Sequence, residues 1–235
     1  MTPTQDLLRA LYPGVPPPFH AELEAWLRDS RRFRAFLTRH ETKVRAKLRR
    51  ADTVESALDV RAELEVAALL LRDPRFELDY EPLMASGRRG PDFAVTFRTR
   101  LPFTVEVRRI RETGTPDDPA ALRDKLIAVL WEKAGQMPAE TPNLLWLVSV
   151  EPLPETALGP AQRSLHQLAA RGPEGAPPPH GRSAAVGARQ FQQISGLAAR
   201  SAHGYIVWPN PAARHPLEAG IASAIARLNL TPGPS

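Results

Sequence analysis

The sequence predicts an α/β domain, and three observations carry that prediction. Short runs near 75–84, 92–97 and 103–108 alternate apolar and polar residues, longer runs over 54–72 and 120–136 have helical spacing, and one near-continuous apolar run covers 144–150. Alternation with period two marks strands with one covered face, and recurrence at three- and four-residue steps marks the helices that cover them. An unbroken apolar run reads as a strand buried on both faces. Reached through a helix, it lies parallel to its sheet neighbour. The order helix, strand, strand, strand, helix, strand therefore describes a mixed sheet flanked by helices.

At 235 residues and 43% hydrophobic, the chain has enough apolar material for one domain with additions. We expect residues 1–52 to form a basic helical region packed on a domain over 53–235. Its core would be 54–150, and its accessory part, 151–235, would hold a mobile Pro/Gly loop at 171–190 and end in one more strand and a closing helix. There is no cysteine, which excludes a disulfide framework and a cysteine-rich zinc site. No leader pattern follows Met1, and no run reaches the roughly eighteen apolar residues of a membrane span. A cytoplasmic protein with no membrane partner is the expectation.

Within residues 1–18 a short amphipathic piece ends at PGVPPP. Over 20–49, Leu23, Trp26, Leu27, Phe33, Phe36, Leu37, Val44 and Leu48 recur at helical steps, and the other face is basic. A net charge of +5 and this clustering suit a polyanion, so Arg31, Arg32, Lys43 and Lys47 are candidate phosphate contacts. The competing reading is a solvated helix face. The helix at 54–72 has Thr53 or Asp52 as N-cap and a stripe of Ala57, Val60, Leu64, Ala67, Ala68 and Leu71 facing a sheet, with Glu63 and Glu65 set inside the apolar run.

In the first strand Glu77, Asp79 and Glu81 alternate with Phe76, Leu78 and Tyr80, and read as the wet side of an edge strand. A turn at 86–90 adds Arg88 and Arg89 to the basic surface. Next come Asp92 at the start of one strand and, past a turn containing Pro102, Glu106 well inside the other. Glu106 and Arg108 share a face. Paired as a hairpin, the two runs let Asp92 and Glu106 converge as two hard oxygen ligands for a divalent cation. In the helix at 120–136, Leu122, Leu126, Val129 and Leu130 face the sheet, and Lys125 and Lys133 flank them. Lys133 continues the stripe, although a snorkelling lysine at a helix end has the same pattern.

The combination Pro91-Asp92, a spacer of about a dozen residues, then Glu106-Val107-Arg108 resembles the PD-(D/E)xK nuclease superfamily, with arginine in the place of the motif lysine. The element order over 54–150 is similar to the αβββαβ restriction-endonuclease-like core of that superfamily. Glu63 matches its helical acid in the form E-L-x-x-A-x-L-L, with Glu65 as the fallback. The resemblance implies metal-dependent hydrolysis of nucleic acid, in defence or repair. Asp92, Glu106, Glu63 and the Val107 carbonyl would hold Mg²⁺ or Mn²⁺, and Arg108 would stabilise developing charge. A displaced catalytic lysine, Lys133 or Lys125, is a known variation. DNA is favoured over RNA as the partner, and a homodimer that pairs two sites is compatible with it.

Arginine cannot serve as general base, yet it clamps a phosphate bidentately. A second reading therefore stays open, in which Arg108 bridges Glu106 and Asp92 and a catalytically inactive protein binds nucleic acid or a protein partner. Other chemistries lack motifs. The six histidines show no metal spacing, Ser149, Ser195 and Ser201 lack a nucleophile elbow, and there is no phosphate-cradling glycine loop.

Overall fold

A computed structural model describes residues 2–82, 90–111, 125–126, 128–129, 132–133, 137–153, 159, 163 and 191–228. It is an α/β protein with a six-stranded mixed open sheet and, with defined ends, six helices. Five helices come first: α1 Pro3–Leu11, α2 His20–Asp29, α3 Arg31–Arg39, α4 Glu41–Arg50 and α5 Val54–Leu70. Thr2 and Gln5 form a capping box on α1, and Thr53 and Ser56 form one on α5, each pairing two otherwise orphaned N–H groups. The basic arm predicted as one helical stretch is cut in two places. Ser30 turns to extended geometry and accepts from Phe33 N–H, and His40 separates α3 from α4. A serine oxygen offers the backbone a partner outside the helix, and so starts a new one.

The strands run in sheet order β1 Phe76–Tyr80, β2 Phe93–Phe97, β3 Leu101–Arg109, β4 Asn143–Val148, β5 Gly196–Ser201 and β6 Gly204–Pro209. Neighbours β1–β2, β2–β3 and β5–β6 are antiparallel, whereas β3–β4 and β4–β5 are parallel. All six residues of β4 are buried, as expected for the apolar run from Leu144, but the strand ends at Val148 and Val150 is exposed. Pro102 lies inside β3 opposite Thr96, and the turn is made by Arg98 and Thr99, both at positive φ, a pairing that suits the twist of a tight hairpin. β3 meets β4 only from Thr104 onward, so the missing N–H of Pro102 breaks no ladder bond there.

The reading over 191–228 missed β5. Its sequence GLAARS lacks β-branched residues and alternation, and it is a strand because β4 and β6 flank it. A Cβ on Gly196 would come within 2.9 Å of Trp208 O, so glycine is what lets β6 approach. The closing helix is α6, Ala219–Ala226. The loop expected at 171–190 lies outside the described residues.

One sheet face, with Tyr80, Phe93, Val105, Val107 and Trp146, shares a continuous core with Leu7, Leu23, Phe33 and Val44 of α1–α4 and with α5 and α6. The other face, with Leu145, Leu147 and Leu197, packs on Leu126 and Val129. Because α5 lies between the sheet and the helical layer, Ala62, Val66, Leu69 and Leu70 are buried beyond the single stripe expected. Among the described residues no helix is long and apolar enough to cross a membrane.

Candidate functional site

The register of the first three strands builds an acidic row. Tyr80 pairs with Phe93, and Phe93 with Val105. One step further along both ladders, Glu81 and Glu106 come opposite Asp92, and Glu81 N–H donates to Asp92 O at 2.8 Å. Opposed positions on neighbouring strands sit about 5 Å apart at Cβ. Asp92 Oδ2 then accepts from Val107 N–H at 2.8 Å, which fixes its carboxylate against β3. Glu63 descends from α5, its side chain only 10% exposed, where Tyr80 O–H donates to Glu63 Oε2 at 2.6 Å.

Two lysines divide these four acids. Lys47 Nζ, from α4, lies 2.6 Å from Glu63 Oε2, 3.0 Å from Glu81 Oε1 and 3.6 Å from Asp92 Oδ1. Lys133 Nζ lies 2.5 Å from Glu106 Oε1. Glu106 sits on the opposite sheet face from α5, beneath the helical residues 132–133, and Asp92 lies where both groups of charges reach it. Arg108 turns away to Glu132 at 3.4 Å, so no Arg108 bridge joins Glu106 to Asp92. Glu81 Oε2 and Arg108 Nε are buried without a hydrogen-bond partner.

The electrostatics follow from this crowding. Burial, then the charges of Glu63 and Glu106, push the Asp92 pKa well above the ordinary aspartate value, against the pull of Lys47 and the Val107 N–H. Burial raises Glu63 as well, although Lys47 and Tyr80 favour its charged form. Burial works against the Lys47 ammonium, but Glu63, Asp92 and Glu81 more than offset it, and its pKa stands above the ordinary lysine value.

The basic residues expected to meet phosphates are placed unequally. Arg32 donates to the carbonyls of Leu71, Asp73 and Phe76 at 2.5–2.8 Å, closing the C-terminal end of α5. Lys43 donates to Tyr80 O and Glu81 O at 2.5 and 3.1 Å, and Lys47 is enclosed in the acidic row. Arg32 and Lys43 point inward because helix ends and strand ends present carbonyls that need donors, and Lys47 points inward to the carboxylates of Glu63, Glu81 and Asp92. Arg31 is exposed, and Arg88 and Arg89 lie outside the described residues. Lys125 donates to Arg111 O, away from the row. Glu65 pairs with Arg61 at 2.8 Å, so the helical acid at the row is Glu63.

Glu81 and Lys47 are the members that the sequence reading did not place here. Glu81 was expected on the wet face of β1, but its φ of 44° breaks the alternation and redirects the side chain. The signal was its ladder position opposite Asp92. Among the described residues, no three His, Cys, Asp or Glu side chains converge closely enough to hold a cation as they stand. The Lys47 ammonium takes up the oxygens of three of them. No protein-family model, curated protein or solved structure matches the chain.

Proposed function

We propose that this protein is a divalent-metal-dependent nuclease, a divergent member of the PD-(D/E)xK superfamily with a restriction-endonuclease-like core. One observation carries the reading: the Lys133 ammonium sits 2.5 Å from Glu106 while Arg108 faces Glu132. A lysine supplied from the following helix thus stands beside the second acid of the motif, in the role that Arg108 cannot fill. A helical acid, Glu63, and the strand acids Asp92 and Glu106 complete the donor set. The strand order β1–β4, antiparallel and then parallel, supports the same superfamily.

The donors fit Mg²⁺ or Mn²⁺ in chemistry. They are hard carboxylate oxygens, Asp92 is destabilised in its charged form by burial and then by its acidic neighbours, and the Lys47 ammonium already lies against two of them, Glu63 and Asp92. Asp92, Glu106 and Glu63 would hold the metal together with the Val107 carbonyl, which an extended strand projects to the same side as the N–H that meets Asp92. Bound there, the metal supplies a water of lowered pKa and neutralises phosphate charge. Lys133 orients that water and offsets charge on the phosphate oxygens, and Tyr80 holds the Glu63 carboxylate in place. Exposed Arg31 and the residues near 88–89 would meet the backbone of a nucleic acid, DNA before RNA. Such a protein would act in defence or repair, as a monomer or as a homodimer that sets two sites on two strands.

A second reading rests on Lys47. With its charge already among Glu63, Glu81 and Asp92, the row is internally neutralised, and the protein would bind nucleic acid without cutting it. Calorimetric titration of Mn²⁺ into wild type and Asp92→Ala, followed by cleavage of plasmid and oligonucleotide, separates the two. Binding that disappears with Asp92, together with metal-dependent cleavage, is the expected result. A folded protein that retains nucleic acid but takes no metal and cuts nothing would establish the second.

A further inference from the structure

We propose that Lys47 is the resident counter-cation of the acidic row, and that metal loading proceeds by exchange, with the Lys47 ammonium leaving as the divalent ion enters. The inference rests on the metal-site reading above. It concerns a residue of α4 that lies outside the family motif and was expected only to touch phosphates.

The geometry makes the two occupants mutually exclusive. Lys47 Nζ is within 2.6–3.6 Å of oxygens on Glu63, Glu81 and Asp92. A divalent cation bound to any two of these at about 2.1 Å would stand against the ammonium in a poorly solvated site, where like charges a few ångströms apart repel by several kcal/mol. The need for some cation is equally plain. Glu63 lies in α5, Glu81 just past β1 and Asp92 just before β2, all three largely buried, so their negative charges oppose one another in a poorly solvated site and a nearby cation offsets that cost.

The structure also holds the means of exchange. Lysine has a flexible four-carbon stem, and Lys47 keeps 27% of its side chain exposed, so a route to solvent is open. Glu81 Oε2, buried beside Glu81 Oε1 and without a hydrogen-bond partner, is an acceptor that the ammonium leaves unused. Lys43 does not share the role. Its Nζ caps the carbonyls of Tyr80 and Glu81 and would remain when Lys47 swings out, so the end of β1 stays anchored during exchange.

The test compares Mn²⁺ binding by calorimetry in wild type, Lys47→Met and Asp92→Ala. Because the competent state of wild type is the fraction with Lys47 displaced, Lys47→Met should bind about tenfold or more tightly. A measurement on wild type guards against a variant that fails to fold. Amine-reactive labelling of Lys47, read by mass spectrometry, should rise several-fold on saturation with Mn²⁺, and should not rise in Asp92→Ala. Equal or weaker binding by a folded Lys47→Met, or labelling in wild type unchanged by bound metal, overturns the exchange and leaves the metal site standing. Failure of both wild type and Lys47→Met to take up Mn²⁺ overturns the metal site and the exchange together. Binding by Lys47→Met alone would overturn the exchange and show instead a lysine that holds the site closed.

Discussion

Lys133 Nζ lies 2.5 Å from Glu106 Oε1 although 27 residues separate them, whereas Arg108, two residues from Glu106 on β3, bonds Glu132 instead. A charge can therefore be supplied to the row from another element, and the two residues should contribute very differently to hydrolysis. Lys133→Met should lower the single-turnover cleavage rate by about a hundredfold or more, while Arg108→Met costs no more than about tenfold. The reverse ranking would return the motif role to Arg108.

Asp92→Asn should abolish Mn²⁺ binding and yet stabilise the metal-free protein. Asp92 is held well above its ordinary pKa, so its contribution to stability is full below the ordinary aspartate value and is lost as pH rises through the folded value. The advantage of the variant should thus be small near pH 4 and grow towards neutrality, reaching a few degrees in Tm at pH 7, where about 1 kcal/mol corresponds to ~3 °C for a chain of this size. Thermal melts in chelator from pH 4 to 8 would show it. A variant that melts below wild type throughout would contradict a cost of burying the Asp92 charge beside other acids.

Arg32→Ala should destabilise by about 2 kcal/mol, because the carbonyls of Leu71, Asp73 and Phe76 lose a charged donor. Arg31→Ala should leave the melting temperature unchanged, since Arg31 is exposed. Its effect should appear in nucleic-acid affinity at low salt and fade as salt rises. Chemical denaturation and binding isotherms at two ionic strengths separate the two arginines.

Tyr80→Phe removes the donor to Glu63 Oε2 from a fully buried ring. A loss of about 1 kcal/mol is expected from the hydrogen bond. Mn²⁺ affinity should fall several-fold, because once Lys47 has left, no donor among the described residues fixes the Glu63 carboxylate at the row. Unchanged affinity would make Tyr80 a packing residue only.

The pattern of Phe93, Val95, Phe103, Val105 and the run at 144–150 was legible in sequence because each strand alternates or is apolar throughout, and the burial periods follow. Thr53 as cap and Glu63 within α5 were legible for similarly local reasons. β5 was not, since GLAARS becomes a strand only between two others. Lys47 could be seen as a basic residue, but its inward direction depends on how α4 crosses α5 and β1, which no local pattern records. Glu81 was hidden by its positive φ, a backbone departure of the kind that stores on the order of 1 kcal/mol and persists only where the surroundings enforce it. Lys43, bonded to its carbonyl, is part of that enforcement.

The core that joins Leu7, Phe33 and Val44 to Val60, Phe93 and Trp146 without interruption has a thermodynamic consequence. The N-terminal layer cannot melt independently of the sheet, so calorimetry should show one endotherm that involves residues 2–82 and the strands together. Amides of α4 and α5 should exchange with solvent at a common, global free energy rather than fray in sequence. A cofactor bound at the row would then be felt in α4 as strongly as in the strands.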